Sequence, residues 1–109
     1  MPIQEVGKFK LNQQGGYVCR TEFVWLDEHG QLQQSAQTGD ELLGQSYTTD
    51  PGSLGVPDQS ITWMKIDVVW GTDNQATQSF KYVNGSPKVA EYTCSGTTLS
   101  NHLALEGVV

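Results

Sequence analysis

The sequence predicts an all-β protein, folded as an antiparallel two-sheet β-sandwich of the immunoglobulin-like type with about seven or eight strands. Three observations predict this class. Apolar and polar residues alternate along several short segments, as they do in strands with one buried face. Turn sequences rich in Gly, Pro and Asn separate these segments at regular intervals. No segment keeps the period of an α-helix over the length that a helix needs.

The first half of the chain contains three predicted strands. Alternation predicts a long strand over residues 16–26, followed by a polar edge strand over 31–37 and a short strand over 41–48. The segment 50–58 holds two Pro and two Gly, a density that neither strand nor helix tolerates, and is predicted as a long loop. The inner face of the first strand is predicted to carry Tyr17, Cys19, Thr21, Phe23 and Trp25.

The second half contains the clearest strand, predicted over residues 61–70. Further strands are predicted over 79–83, 88–95 and 97–105, with Asn84-Gly85 as the strongest hairpin signal. The side chains predicted to point into the core are Met64, Ile66, Val68, Trp70, Leu99, Leu103 and Leu105.

Length and charge narrow the class of function. The 109 residues predict a single domain, 1–109, large enough to bury a core. The net charge of −6, with basic residues scattered singly, argues against nucleic acid and against electrostatic adhesion to anionic lipid. Abundant Gln, Thr, Ser and Gly suit the binding of neutral ligands, and are also the ordinary composition of many β-sandwiches.

The segment 1–11 alternates polar and apolar residues, without the apolar run of a secretory signal. We expect no signal peptide and no transmembrane helix. This expectation leaves the location open between secreted, in mature form, and cytoplasmic.

The two cysteines, Cys19 and Cys94, both fall on predicted inward faces. One interpretation is a disulfide between distant strands, closing a loop of about 75 residues and stabilising the fold by about 4 kcal/mol. The other is a pair of buried thiols that act as small hydrophobic side chains. No further Cys or His lies at ligand spacing, so neither a metal site nor a cofactor is predicted.

The sequence predicts that the protein is not an enzyme. His29 adjoins Asp27 and Glu28, but all three fall in an exposed turn, where burial cannot shift their pKa values. His102 and Ser100 share an outward face without a third orienting group or oxyanion donors.

A ligand site is predicted around Trp63, whose alternation places it with Lys65 and Asp67 on the polar side of its strand. An exposed indole beside hydrogen-bonding groups is a usual platform for a sugar ring or a partner protein. The alternative is that Trp63 covers the sandwich end or packs beneath the loop after residue 49.

The segment Gly96-Thr97-Thr98-Leu99 resembles one near the end of the membrane-binding β-sandwich of cholesterol-dependent cytolysins. Gly16-Tyr17-Val18-Cys19-Arg20 and Asp67-Val68-Val69-Trp70-Gly71 extend this resemblance upstream, while the family's Trp-rich loop is missing. The resemblance implies a C-terminal-type domain that binds membranes or glycans, with Thr98-Leu99 as the sterol-recognising pair on a tip loop. The loop after Trp70 is polar, and burying Asp73 in lipid would cost several kcal/mol, so deep insertion is not expected.

Together these features predict a non-catalytic binding module that recognises a cell-surface ligand, with a neutral glycan as the first choice. One alternative is docking on a lipid head group, as the membrane-docking component of a pore-forming toxin system. Another is a structural module that forms homo-oligomers through exposed strand edges.

Overall fold

The computed structural model describes residues 3–109, so Met1 and Pro2 of the predicted domain lie outside the description. The chain forms two sheets arranged as a sandwich, which confirms the predicted all-β class. Residues 3–109 form ten strands, more than predicted, because several contain only two or three residues. They are β1 Glu5–Val6, β2 Lys8–Gln13, β3 Cys19–Leu26, β4 Leu32–Gln34, β5 Ser46–Thr49, β6 Ile61–Val68, β7 Asn74–Gln75, β8 Phe80–Tyr82, β9 Val89–Gly96 and β10 Asn101–Val108.

One sheet has the strand order β1-β8-β6-β3-β4, with β7 also paired to β6, and the other has the order β10-β9-β2-β5. Both are mixed, because β1 runs parallel to β8 and β2 runs parallel to β9. The sequence did not predict β1 and β2. They belong to different sheets, and the chain changes sheet at Gly7, where a Cβ atom would lie 2.1 Å from the Ser86 carbonyl oxygen.

The turn at Asn84-Gly85 connects the two sheets. Gly85 has φ of +88°, and the Ser86 N–H donates to the Val83 carbonyl at 3.1 Å. Because β8 and β9 lie in different sheets, the hairpin predicted here is wrong, although the turn itself is present.

Aromatic side chains from both sheets form the centre of the core. The Phe9 ring on β2 lies 4.8 Å from the Phe23 ring on β3, 5.8 Å from Phe80 and 6.2 Å from Tyr92, centroid to centroid. Every second residue of β6 is buried, and Met64 is among them, as alternation predicted. The core therefore joins the inner faces of the two layers.

Two predicted core residues are in fact exposed. Strand β6 ends at Val68, and the Gly71 N–H donates to the Val68 carbonyl at 3.0 Å. The chain turns away from the sheet there, so Trp70 points into solvent. Strand β10 begins only at Asn101, so Leu99 lies in the preceding loop and is exposed as well.

The predicted loop at residues 50–58 contains one turn of 3₁₀ helix, Pro51–Leu54. Pro51 is tolerated because it stands in the first turn, where its missing N–H has no helical partner. The Asp50 carboxylate accepts the Gly52 N–H at 2.9 Å and caps this turn. Within residues 3–109, no helix is long and apolar enough to cross a membrane.

Candidate docking surface at one end of the sandwich

Three loops lie at one end of the sandwich. In one sheet, Cys19 at the start of β3 pairs with Val68 at the end of β6. In the other sheet, Gln13 at the end of β2 pairs with Cys94, near the end of β9. The loops that follow or precede these strand ends are residues 42–45, 69–73 and 97–100, which we call the tip loops.

The tip loops carry large apolar side chains in solvent. Among residues 3–109, eight large hydrophobic side chains are exposed, and four of them lie on the tip loops. Trp70 is 96% exposed, Leu99 76%, Leu43 59% and Leu42 51%. Such a concentration at one end of a small domain marks a surface for interaction.

Leu32 provides a contrast, since it is 61% exposed at the opposite end. It pairs with Leu26, the last residue of β3. Strand β3 is eight residues long, which places Leu32 about 23 Å from the tip end of the sheet.

Hydrogen bonds join two of the tip loops to each other. The Thr72 N–H donates to the Thr98 carbonyl at 2.8 Å, and the Asn101 side-chain amide donates to the Thr72 carbonyl at 2.6 Å. Gly71 lies so close to the second loop that a Cβ atom would be 2.2 Å from the Thr98 carbonyl oxygen. Trp70 and Leu99 each adjoin a residue of this contact, so their side chains are presented by one connected structure.

The third tip loop is held by the end of β2. The Gly44 N–H donates to the Gln13 carbonyl at 2.7 Å, and the Gln13 N–H donates to the Gln45 carbonyl at 2.9 Å. The Leu42 N–H donates to the Tyr47 hydroxyl at 2.8 Å. These bonds fix the backbone that presents Leu42 and Leu43.

Two carboxyl groups lie behind Trp70. The Val68 N–H donates to Asp73 Oδ1 at 3.1 Å, which turns this carboxyl back toward the end of β6. Partial burial raises the pKa of Asp73, and the hydrogen bond with Asp73 lowers the pKa of Asp67. Of the two carboxyl groups, Asp73 therefore takes up a proton first as the pH falls.

The structure places Trp63, Lys65 and Asp67 on the outer face of β6, where their polar groups contact other side chains. The Trp63 indole N–H donates to Gln75 Oε1 at 3.0 Å, and Lys65 Nζ lies 3.6 Å from Glu22 Oε1. Asp67 Oδ2 accepts the Gln37 amide at 3.0 Å. Trp63 stands five residues before the end of β6, about 16 Å along the strand, so it does not join Thr98 and Leu99 in one site.

The residues considered for catalysis remain on the surface. His29 Nε2 lies 3.7 Å from Glu28 Oε1 with both side chains largely exposed. Hydrogen bonds from Gln31, Gln33 and His29 lower the pKa of Asp27. The Asp27 carboxylate therefore stabilises the turn. Within residues 3–109, no three His, Cys, Asp or Glu side chains converge to hold a metal ion.

Sequence reasoning missed Trp70, Leu42 and Leu43 as surface residues. Two adjacent leucines followed by Gly44 break the alternation of a strand, and this break could have indicated an apolar loop. Trp70 gave a weaker signal, because the Gly after it is also common where a strand merely ends.

Comparison with known proteins shows similarity in fold. No protein-family model and no curated protein matches the chain. A Gram-negative toxin is 16% identical, with 92% of this chain matching 22% of the toxin at a TM-score of 0.50. Listeriolysin O is 16% identical over 92% of this chain and 22% of its own, with a TM-score of 0.46. The membrane-binding domain of pneumolysin is 13% identical over 93% of this chain and 96% of its own, with a TM-score of 0.47.

The chain thus spans 22% of the length of the first two proteins. The predicted resemblance to cholesterol-dependent cytolysins is confirmed at the level of the fold, and identities of 16% or less extend it no further.

Proposed function

We propose that this domain is a non-catalytic docking module that binds the surface of a lipid membrane through its tip loops. The observation that carries the proposal is the exposure of Trp70, Leu99, Leu42 and Leu43 at one end of the sandwich. Trp suits this role because its ring is apolar while its N–H can bond at the level of the head groups.

The energy of such docking is modest. Burying a leucine side chain contributes about 1.5–3 kcal/mol, and the larger indole of Trp70 contributes more when it is fully covered. Shallow contact by Trp70 and Leu99 together would supply about 5 kcal/mol, which corresponds to a Kd of about 0.2 mM. A single domain would therefore bind reversibly, and linked copies or a partner chain would be needed for stable attachment.

The charge of the chain selects the kind of surface. A net charge of −6 without a basic cluster disfavours anionic lipid, so the expected surface is zwitterionic or uncharged. Asp73, in the same loop as Trp70, opposes deep insertion because a carboxylate is costly in the hydrocarbon region. We infer a contact at the depth of the head groups.

Flotation with phosphatidylcholine vesicles tests the proposal. Trp70→Ala and Leu99→Ala should each float less than the parent, whereas Leu32→Ala, which removes an exposed leucine at the opposite end, should float like the parent. Phosphatidylserine should reduce flotation. Equal loss in all three variants would contradict docking by the tip.

Sterol recognition is a finer proposal, supported by the resemblance of Thr98-Leu99 to the family's tip pair. Vesicles with and without cholesterol separate it from general apolar contact. If the Thr98→Gly/Leu99→Ala double variant loses only the cholesterol-dependent part of binding, the pair acts as a sterol contact. If cholesterol has no effect on the parent, Leu99 contributes apolar surface alone.

A neutral glycan ligand at Trp63 also stays a prediction. Its support is the shared outer face of Trp63, Lys65 and Asp67, although each already has a side-chain partner. Binding to a glycan array that is inhibited by free sugar and lost in Trp63→Ala would establish it. Homo-oligomerisation and a pore-forming partner also stay predictions, and light scattering with and without vesicles tests the first of them.

A further inference from the structure

A second site lies directly behind the tip loops, where Cys19 and Cys94 meet between the two sheets. We propose that this pair is an intramolecular disulfide site that ties the sheets together beneath the tip. The two residues are free thiols in the structure, and both are buried.

The backbone brings the two cysteines together from opposite layers. Cys19 pairs with Val68 in one sheet, and Cys94 pairs with Gln13 in the other. The segment between β2 and β3 crosses from one layer to the other at this point, where the Gln14 N–H donates to the Cys94 carbonyl at 2.9 Å. Both side chains are fully buried and belong to the same core cluster between the layers.

The surroundings hold the pair in place. The Cys94 thiol donates to Gln13 Oε1 at 3.6 Å, and the amide of the same Gln13 donates to the Glu41 carbonyl at 3.3 Å. Glu41 in turn exchanges both backbone hydrogen bonds with Cys19, at 3.2 and 2.7 Å. A continuous set of contacts therefore links the two cysteines through Gln13 and Glu41.

The environment also differentiates the two thiols. Interaction with the Cys19 thiol holds the pKa of Cys94 below its ordinary value, at about 7, whereas the same interaction and burial raise the pKa of Cys19. Once the contacts around the pair have formed, Cys94 is therefore the thiol with the larger thiolate fraction. The sequence contains two cysteines, so any disulfide within the chain joins these two.

Closure requires an oxidant, for which a small disulfide such as oxidised glutathione serves while the chain folds and the thiols are accessible. The Cys94 thiolate attacks one sulfur of glutathione disulfide, forming a mixed disulfide and releasing one glutathione thiolate. The Cys19 thiolate then attacks the Cys94 sulfur, forming the Cys19–Cys94 bond and releasing the second glutathione. The protein loses two protons and two electrons, and the glutathione disulfide is reduced to two thiols.

The bond would act on the tip because the two connected tip loops belong to different sheets. The loop 69–73 follows β6, and the loop 97–100 follows β9. A covalent link between the sheets at this depth fixes the separation of Trp70 and Leu99. This step rests on the proposed function, and predicts that the oxidised domain binds phosphatidylcholine vesicles more tightly than the reduced one.

The test refolds the full chain from denaturant in a glutathione redox buffer and, in parallel, with excess dithiothreitol. Thiols are counted afterwards in denaturant with a polyethylene-glycol maleimide. The expected product is a monomer without free thiols, lighter than the reduced protein by about 2 Da, with a Tm higher by about 15 °C. Two free thiols, a glutathione adduct or a disulfide-linked dimer would overturn the proposal.

The Cys19→Ala/Cys94→Ala variant shows whether the difference in Tm comes from the disulfide or from the buffer. Its Tm should be the same in both buffers, and a buffer-dependent Tm in this variant would show that the shift does not come from the disulfide. Thiol counting needs no membrane, so it tests the disulfide even if vesicle docking fails. If the bond forms and oxidised and reduced forms float equally, the coupling to the tip is refuted.

Discussion

Trp70 is expected to lower the free energy of unfolding of the domain while it contributes to membrane binding. The substitution Trp70→Gly separates these two effects. Its backbone lies in the left-handed region, with φ of +57°, which costs an ordinary residue about 1–2 kcal/mol. Glycine removes this strain. It also gives the unfolded chain more conformational freedom, which lowers the free energy of unfolding by about 0.5–1 kcal/mol. Because Trp70 is exposed, little packing is lost. The net expectation is a gain of about 0.5 kcal/mol, or about 2–4 °C in Tm.

The same substitution should weaken vesicle binding strongly. Removing the indole forfeits about 3 kcal/mol of burial at the membrane, which corresponds to about 100-fold in the partition constant. Trp70→Ala is the matched control, since it also removes the indole but keeps a Cβ atom in the left-handed conformation. It should lose binding equally without the gain in stability.

Thermal unfolding by circular dichroism and partitioning onto phosphatidylcholine vesicles give the two readouts. A loss of more than about 1 kcal/mol in Trp70→Gly would show that the indole packs against the domain. Unchanged partitioning in both variants would refute the role of Trp70 in docking.

Three further predictions concern the core and the tip. Burial raises the pKa of Glu41 above its unfolded value, so its contribution to stability is present in acid and is lost as pH rises through the folded pKa. Glu41→Gln should therefore flatten the pH dependence of Tm above pH ~4.5, and an unchanged slope would contradict this. Phe9→Ala should cost about 3–5 kcal/mol in urea unfolding, because its ring contacts both layers, and a cost below about 1 kcal/mol would refute that packing. Gly71→Ala places a Cβ atom against the Thr98 carbonyl and should cost about 1–3 kcal/mol and weaken flotation, whereas full flotation would show that the two loops need not touch.

The alternation of apolar and polar residues correctly predicted which faces of the long strands are buried. The alternation of β6 and β9 gave the correct buried faces, because a strand with one face in the core must repeat every two residues. Strand β1 was missed because it has only two residues, and β2 was missed although its segment alternates, because the alternation was considered only as evidence against a signal peptide. Both strands pair in parallel with strands far along the chain. The local sequence of β1 and β2 does not indicate which strands they pair with.

Of the tip-loop residues, the sequence placed Thr98 and Leu99 on a loop but not Trp70. The resemblance placed Thr98-Leu99 on a tip loop, and the structure agrees, whereas alternation alone turned Leu99 inward. Trp70 was wrongly predicted to lie in the core because the alternation of β6 was extended beyond Val68, where the strand ends. The chain leaves the sheet after Val68 in a turn closed by the Gly71 N–H, and the loop beyond this turn is held by the bond from Thr72 to Thr98, which is distant in sequence.

The parallel pairing of β2 with β9 has a consequence for how the chain reaches its native state. Lys8 aligns with Val89 and Gln13 with Cys94, so β2, near residue 10, lies between β9 and β5 inside its sheet. During synthesis this four-stranded layer cannot assemble until β9 has left the ribosome. Pairings over such separations slow folding, so the domain should fold after its synthesis rather than along with it. Until then the apolar residues of β2 remain open to capture by a chaperone or by another nascent chain.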